Sequence, residues 1–93
     1  MNQIDVPLAR TAVIVNELGL HARSAAKIAE LAQNAKHKVW IANEAESVEA
    51  ASIIDILTLG CAKGARVTIR IEHPEDQDIL EQIVALVRSG FGE

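Results

Sequence analysis

Arg66-Val67-Thr68-Ile69-Arg70-Ile71 alternates polar and apolar side chains without a break, the period of a β-strand with one buried and one wet face. A sheet wetted on one side takes its helices on the other. This hexapeptide therefore points to a two-layer α+β domain with a largely antiparallel sheet. Upstream, Lys63-Gly64 turns the chain into the strand, and Ser52 reads as the N-cap of a short helix over 53–59 with Gly60 just past its end. Val39, Trp40 and Ile41 form another strand, in which Trp40 alternates onto the uncovered side. Residues 43–47 must turn into a third strand without any Gly or Pro. Further back, Ala25, Ile28, Ala29 and Ala32 recur at helical spacing within an alanine-rich segment, 21–35. Lys36, His37 and Lys38 then place positive charge where its dipole ends. A first strand is expected over 9–15. Downstream, Pro74, Glu75 and Asp76 open a last helix striped by Ile79, Leu80, Ile83, Val84 and Val87 and stopped at Gly90. The expected order is β-α-β-β-α-β-α, a single domain over 1–93.

Composition excludes several functions. Of 93 residues, 49% are hydrophobic, yet there is one Phe, one Trp and no Tyr, so an aliphatic core is available but no aromatic platform for single-stranded nucleic acid. Thirteen acidic against nine basic residues give a net charge of −4, which argues against a binder of phosphate backbones. The single cysteine, Cys61, excludes an internal disulfide and a cysteine-based zinc cage. No apolar run approaches the roughly 20 residues of a membrane helix, and no signal peptide is visible. A cytoplasmic protein without membrane insertion is expected.

The chemistry concentrates in Gly19-Leu20-His21-Ala22-Arg23-Ser24, where a strand hands over to a helix. The first helical turn offers unpaired N–H groups, here those of Ala22 and Ser24 among others, and the positive end of the dipole. A phosphoryl group on His21 would find those donors within reach, and Arg23 would add a planar fork of its own. Gly19 supplies the backbone latitude. From these six residues alone, a polar helix cap accounts for His21 and Arg23 at least as well. The remaining candidates are weaker. His37 reads as a solvated dipole partner. His73 has no companion histidine or carboxylate at ligand spacing, so no metal site is expected. Cys61 reads as buried filler, and Gly60, Lys63 and Gly64 as turn residues.

Three blocks, Gly19-Leu20-His21-Ala22-Arg23, the nine residues 52–60, and 63–69, stand in an order and register that resembles the histidine-containing phosphocarrier (HPr) family of the bacterial phosphoenolpyruvate-dependent phosphotransferase system. The likeness runs from about Ala9 to Val87. It implies a four-stranded antiparallel sheet with three helices on one face. It also implies phosphorylation of His21 at Nδ1 and an active-site role for Arg23, with enzyme I as donor and enzyme IIA domains as acceptors. Such a chain is a monomeric carrier of phosphoryl groups for sugar uptake, without a cofactor, rather than an enzyme with its own turnover. Two positions depart from the family. Ser24 stands where Pro is usual, which restores an N–H and a hydroxyl for a phosphate but loosens the turn. Leu18 replaces a small or polar residue, and packing is its expected role.

By the same resemblance, Ser52 matches a serine modified by an HPr serine kinase in some members, although a helix cap is sufficient to explain it. The helix that follows is more apolar than a half-buried helix requires. Ile53, Ile54 and Leu57 are expected to dock partners, while Ile56 belongs to the core. The alternative is a regulatory module of the same fold that signals through His21 or Ser52 with little sugar flux.

Overall fold

The computed structural model describes residues 7–93. Four strands, β1 (Ala9–Val13), β2 (Val39–Ala42), β3 (Ser47–Glu49) and β4 (Arg66–Ile71), form one sheet in the order β1-β4-β2-β3. Every neighbouring pair is antiparallel. Helices α1 (Ala22–Ala32), α2 (Ile53–Thr58) and α3 (Gln77–Arg88) complete the expected order. Val67, Ile69 and Ile71 of β4 face inward with Val39 and Ile41 of β2, against Ala25, Ile28 and Ala29 of α1 and Leu80, Ile83 and Val84 of α3. Among the described residues, no helix is long and apolar enough to cross a membrane.

The element ends differ from the sequence reading for reasons of tertiary contact. The β1 ladder stops at Val13, and Ile14 instead exchanges bonds with Ala65 and Gly64 (2.8 and 2.7 Å). Helix α1 ends at Ala32 rather than Ala35. The amides of Lys36 and His37 both donate to the buried Asp76 carboxylate (2.8 and 2.9 Å), which draws this segment to the start of α3. Lys36, His37 and Lys38 therefore lie beyond the last turn and do not serve its dipole. The turn without Gly or Pro is made by Asn43, whose Oδ1 accepts from the amides of Ala45 and Glu46, both at 2.8 Å. That is the turn-mimicking use of an Asn side chain. Pro74–Asp76 is a separate 3-10 turn ahead of α3.

Past Gly90 the chain folds back. Phe91 is buried with φ +60°, and its carbonyl accepts from Lys27 Nζ at 2.6 Å. The uncovered face of the sheet carries Trp40, flanked by Lys38 and Arg70 at 5.7 and 5.4 Å from the ring centre, with its Nε1 donating to Glu72 at 2.8 Å. These cation–π and hydrogen-bond contacts give the only Trp of the chain a structural setting on a wet surface.

Candidate functional site

His21 is the N-cap of α1, with extended backbone (φ −128°, ψ −178°). Its Nδ1 accepts from the amide of Arg23 at 3.3 Å, so this nitrogen looks into the open first turn of the helix. Its Nε2 faces the Glu93 carboxylate at 2.5 Å. Because Nδ1 accepts, the ring proton belongs on Nε2, where Glu93 receives it. The hydrogen-bond network thus fixes one tautomer and leaves the Nδ1 lone pair toward the helix. Asn16 holds Glu93 from the other side, its Nδ2 donating to Oε1 at 2.9 Å and to the Gly19 carbonyl at the same distance. The bond from Asn16, then that from His21, hold the Glu93 carboxyl below the ordinary carboxylate range, with the charge of Arg23 adding to the effect. Glu93 is therefore a carboxylate throughout the neutral range. Its negative charge faces Nε2, a contact the sequence reading did not foresee.

Gly19 places the histidine. Its φ is +65°, and a Cβ there would lie 2.5 Å from the Cys61 carbonyl oxygen and 2.8 Å from Ala62 Cα. Only glycine allows this approach, across which Leu20 N–H bonds the Cys61 carbonyl at 2.8 Å. Cys61 itself is buried, and desolvation pushes its thiol up, away from nucleophilic character.

Ser24 behaves differently from the expectation of a hydroxyl free for phosphate. It is fully buried. Its Oγ accepts the His21 N–H at 2.9 Å and lies 3.1 Å from the Gly19 carbonyl, closing a capping box. The turn is thereby braced rather than loosened, and the same box sets the backbone N–H of Ser24 toward the His21 side chain. Ser24→Ala should lower stability by about 1–2 kcal/mol, the cost of a lost cap, read as an earlier midpoint in urea unfolding. Arg23 is exposed beside the site.

Of the apolar residues singled out around α2, Ile54 is 76% exposed, Ile53 and Leu57 are about half as exposed, and Ile56 and Leu59 are buried. Leu18 is 68% exposed, so it does not pack as expected. Ser52 caps α2, its Oγ accepting from the Asp55 amide at 3.2 Å. Lys63 pairs with Glu17 at 2.6 Å, which leaves no lysine aimed at a loop cradle there. His37 is not merely solvated: its Nε2 lies 3.1 Å from Glu75 Oε1 and its ring stacks on His73. His73 thus has His37 beside it, brought there by folding, and the carboxylate of Glu75 two residues on, which the sequence reading passed over.

Sequence reasoning missed Asn16 and Glu93. The available signal was Gly90-Phe91-Gly92, the only Phe set between glycines, which reads as an anchored chain reversal rather than a helix tail.

The sequence matches the family described as "PTS HPr component phosphorylation site" over residues 8–89. It is 36% identical to the phosphocarrier protein HPr of Cupriavidus necator over 86 residues, covering 92% of this chain and 97% of that one. It is 39% identical to the phosphocarrier protein NPr of Escherichia coli K12, covering 90% and 94%. The crystal structure of HPr-C-His from Thermoanaerobacter tengcongensis superposes with a TM-score of 0.85 at 33% identity, covering 91% of this chain and 96% of that one. The chain belongs to the HPr family of phosphotransferase-system phosphocarriers. Its sheet and three helices are the α+β sandwich of that family.

Proposed function

We propose that this chain shuttles a phosphoryl group on His21 Nδ1 in the cytoplasm, taking it from an enzyme I-type donor and passing it to an enzyme IIA-type acceptor. The observation that carries the reading is the paired environment of the ring, with Glu93 on Nε2 and the amide of Arg23 before Nδ1. The Nδ1 lone pair attacks phosphorus, a P–N bond forms, and the bond from phosphorus to the donor breaks, its electron pair staying with the donor. The ring becomes cationic, and the Glu93 carboxylate stabilises it through the proton on Nε2. The phosphoryl oxygens take over the Arg23 N–H, whose 3.3 Å contact with Nδ1 is weak and cheap to lose, and the exposed guanidinium of Arg23 closes on them. With few and mobile donors the phospho-form is not held too tightly to leave.

Ile53, Ile54 and Leu57 would receive both partners on one apolar surface. Ile54→Glu should weaken donor binding about tenfold or more, the penalty of losing one central anchor, while its unfolding midpoint stays within error. Titration calorimetry against the donor, alongside urea unfolding, checks both halves. Ser52 lies at the head of the same helix, so phosphate added there would set charge beside the docking residues; this favours a second, regulatory reading. Incubation with phosphoenolpyruvate and enzyme I should load an acid-labile phosphate, and onward transfer to a sugar-linked acceptor separates the carrier from the regulator.

A further inference from the structure

His37, His73 and Glu75 come from two separated stretches, yet one ligand-type atom from each lies within 4.8 Å of the other two. We propose that they form a surface site for a divalent transition ion of the zinc type, independent of the phosphoryl chemistry at His21. His37 follows the far end of α1 from His21, and the 11 residues of that helix span about 16 Å at 1.5 Å per residue.

Both the facing donor atoms and the backbone beneath them suit an ion. His73 Nδ1 caps the 3-10 turn by accepting the Glu75 amide at 3.0 Å, so in the neutral ring it carries no proton. It nevertheless stands 3.3 Å from a Glu75 carboxylate oxygen. Two electron-rich atoms thus face each other with no proton between them, and His37 Nε2 approaches the same oxygen at 3.1 Å. Once the His37 proton moves from Nε2 to Nδ1, a cation satisfies all three atoms together. The Glu75 carboxyl is already held below its ordinary range, first by the bond from His37 and then by Lys36, and Lys36 Nζ contacts the other oxygen at 3.6 Å. Oε1 is therefore available to an ion without displacing the lysine.

The backbone beneath is fixed. The buried Asp76 carboxylate binds the amides of Lys36 and His37, which ties the His37 segment to the turn carrying His73, Pro74 and Glu75. Only side-chain torsions need to adjust. The two imidazoles now stack at 4.8 Å with 20° between planes. They must rotate to aim both lone pairs at one point, closing the ligand atoms to roughly 3.3 Å for tetrahedral zinc with bonds near 2.0–2.1 Å. All three side chains are exposed enough to do so. His73 gives up its cap contact in binding, and the freed Glu75 amide turns to water. Two nitrogens and one oxygen leave the fourth position to a water molecule.

Zinc chloride titrated into the full chain at pH 7.5, followed by ¹H–¹⁵N correlation spectra, should shift the His37, His73 and Glu75 signals to saturation at one ion per chain. His21 signals should stay in place. His37→Gln and His73→Asn, the latter keeping a side-chain acceptor for the Glu75 amide, should each weaken binding at least tenfold. Acidification should release the ion, because protonated imidazoles do not bind metal. The proposal is overturned by unshifted spectra at millimolar zinc, by shifts centred on His21 and Glu93, or by undiminished binding when both histidines are replaced.

Discussion

His21→Ala is expected to take up no phosphoryl group from phosphoenolpyruvate and enzyme I, a loss to below detection rather than a partial one. The other two histidines lie together beyond the opposite end of α1, and although His73 caps a 3-10 turn, its Nδ1 faces the Glu75 carboxylate, whose charge repels a phosphoryl group. Neither can substitute. The fold should survive, since the substitution removes a partly exposed surface ring with its Glu93 contact and its 3.3 Å cap contact, the cap being worth about 1 kcal/mol. Acid-labile radiolabel on the protein, compared with wild type, is the measurement. Label retained by the alanine variant would move the chemistry to another residue.

The largest effect on stability is expected at Gly19→Ala. The new methyl would meet backbone on the adjoining loop at 2.5 and 2.8 Å, neither of which can rotate away. About 1–2 kcal/mol comes from the left-handed backbone, another 1–3 from overpacking, and about 1 from straining the bond between Leu20 and Cys61. The sum, about 3–6 kcal/mol, is a large share of the 5–15 typical of a small domain. Gly60→Ala is the control. Its φ is +62°, but a Cβ there meets nothing within 4 Å, so only the conformational part remains, about 1–2 kcal/mol. Urea midpoints for the two variants separate sterics from backbone preference. Equal losses would refute the close-contact account.

What could be read from the sequence was local. The alternation of β4, the apolar stripe of α1 and the Ser52 cap each lie within a few residues of one another, and the structure has all three. The exposure of Ile53, Ile54 and Leu57 also followed from a short run too apolar for its length. The contacts that escaped are distant along the chain. Asn16 meets Glu93 across 77 positions, and Lys36 meets Asp76 across 40. No periodicity encodes such a meeting, and so the end of α1 and the carboxylate on His21 were both missed. Ser24 failed for a different reason. A serine inside a first turn can direct its hydroxyl outward to a ligand or back to the chain, and the buried choice depends on the Gly19 carbonyl having been brought above it.

The lone indole at position 40 lies on the bare side of the sheet, away from the helical layer that carries the imidazole. Its light emission therefore gauges whether the strands remain assembled and is blind to events at the far layer. A disarmed but folded variant keeps the parent's spectrum, whereas one whose strands have parted shifts to the red, so a single cuvette sorts the two kinds of failure.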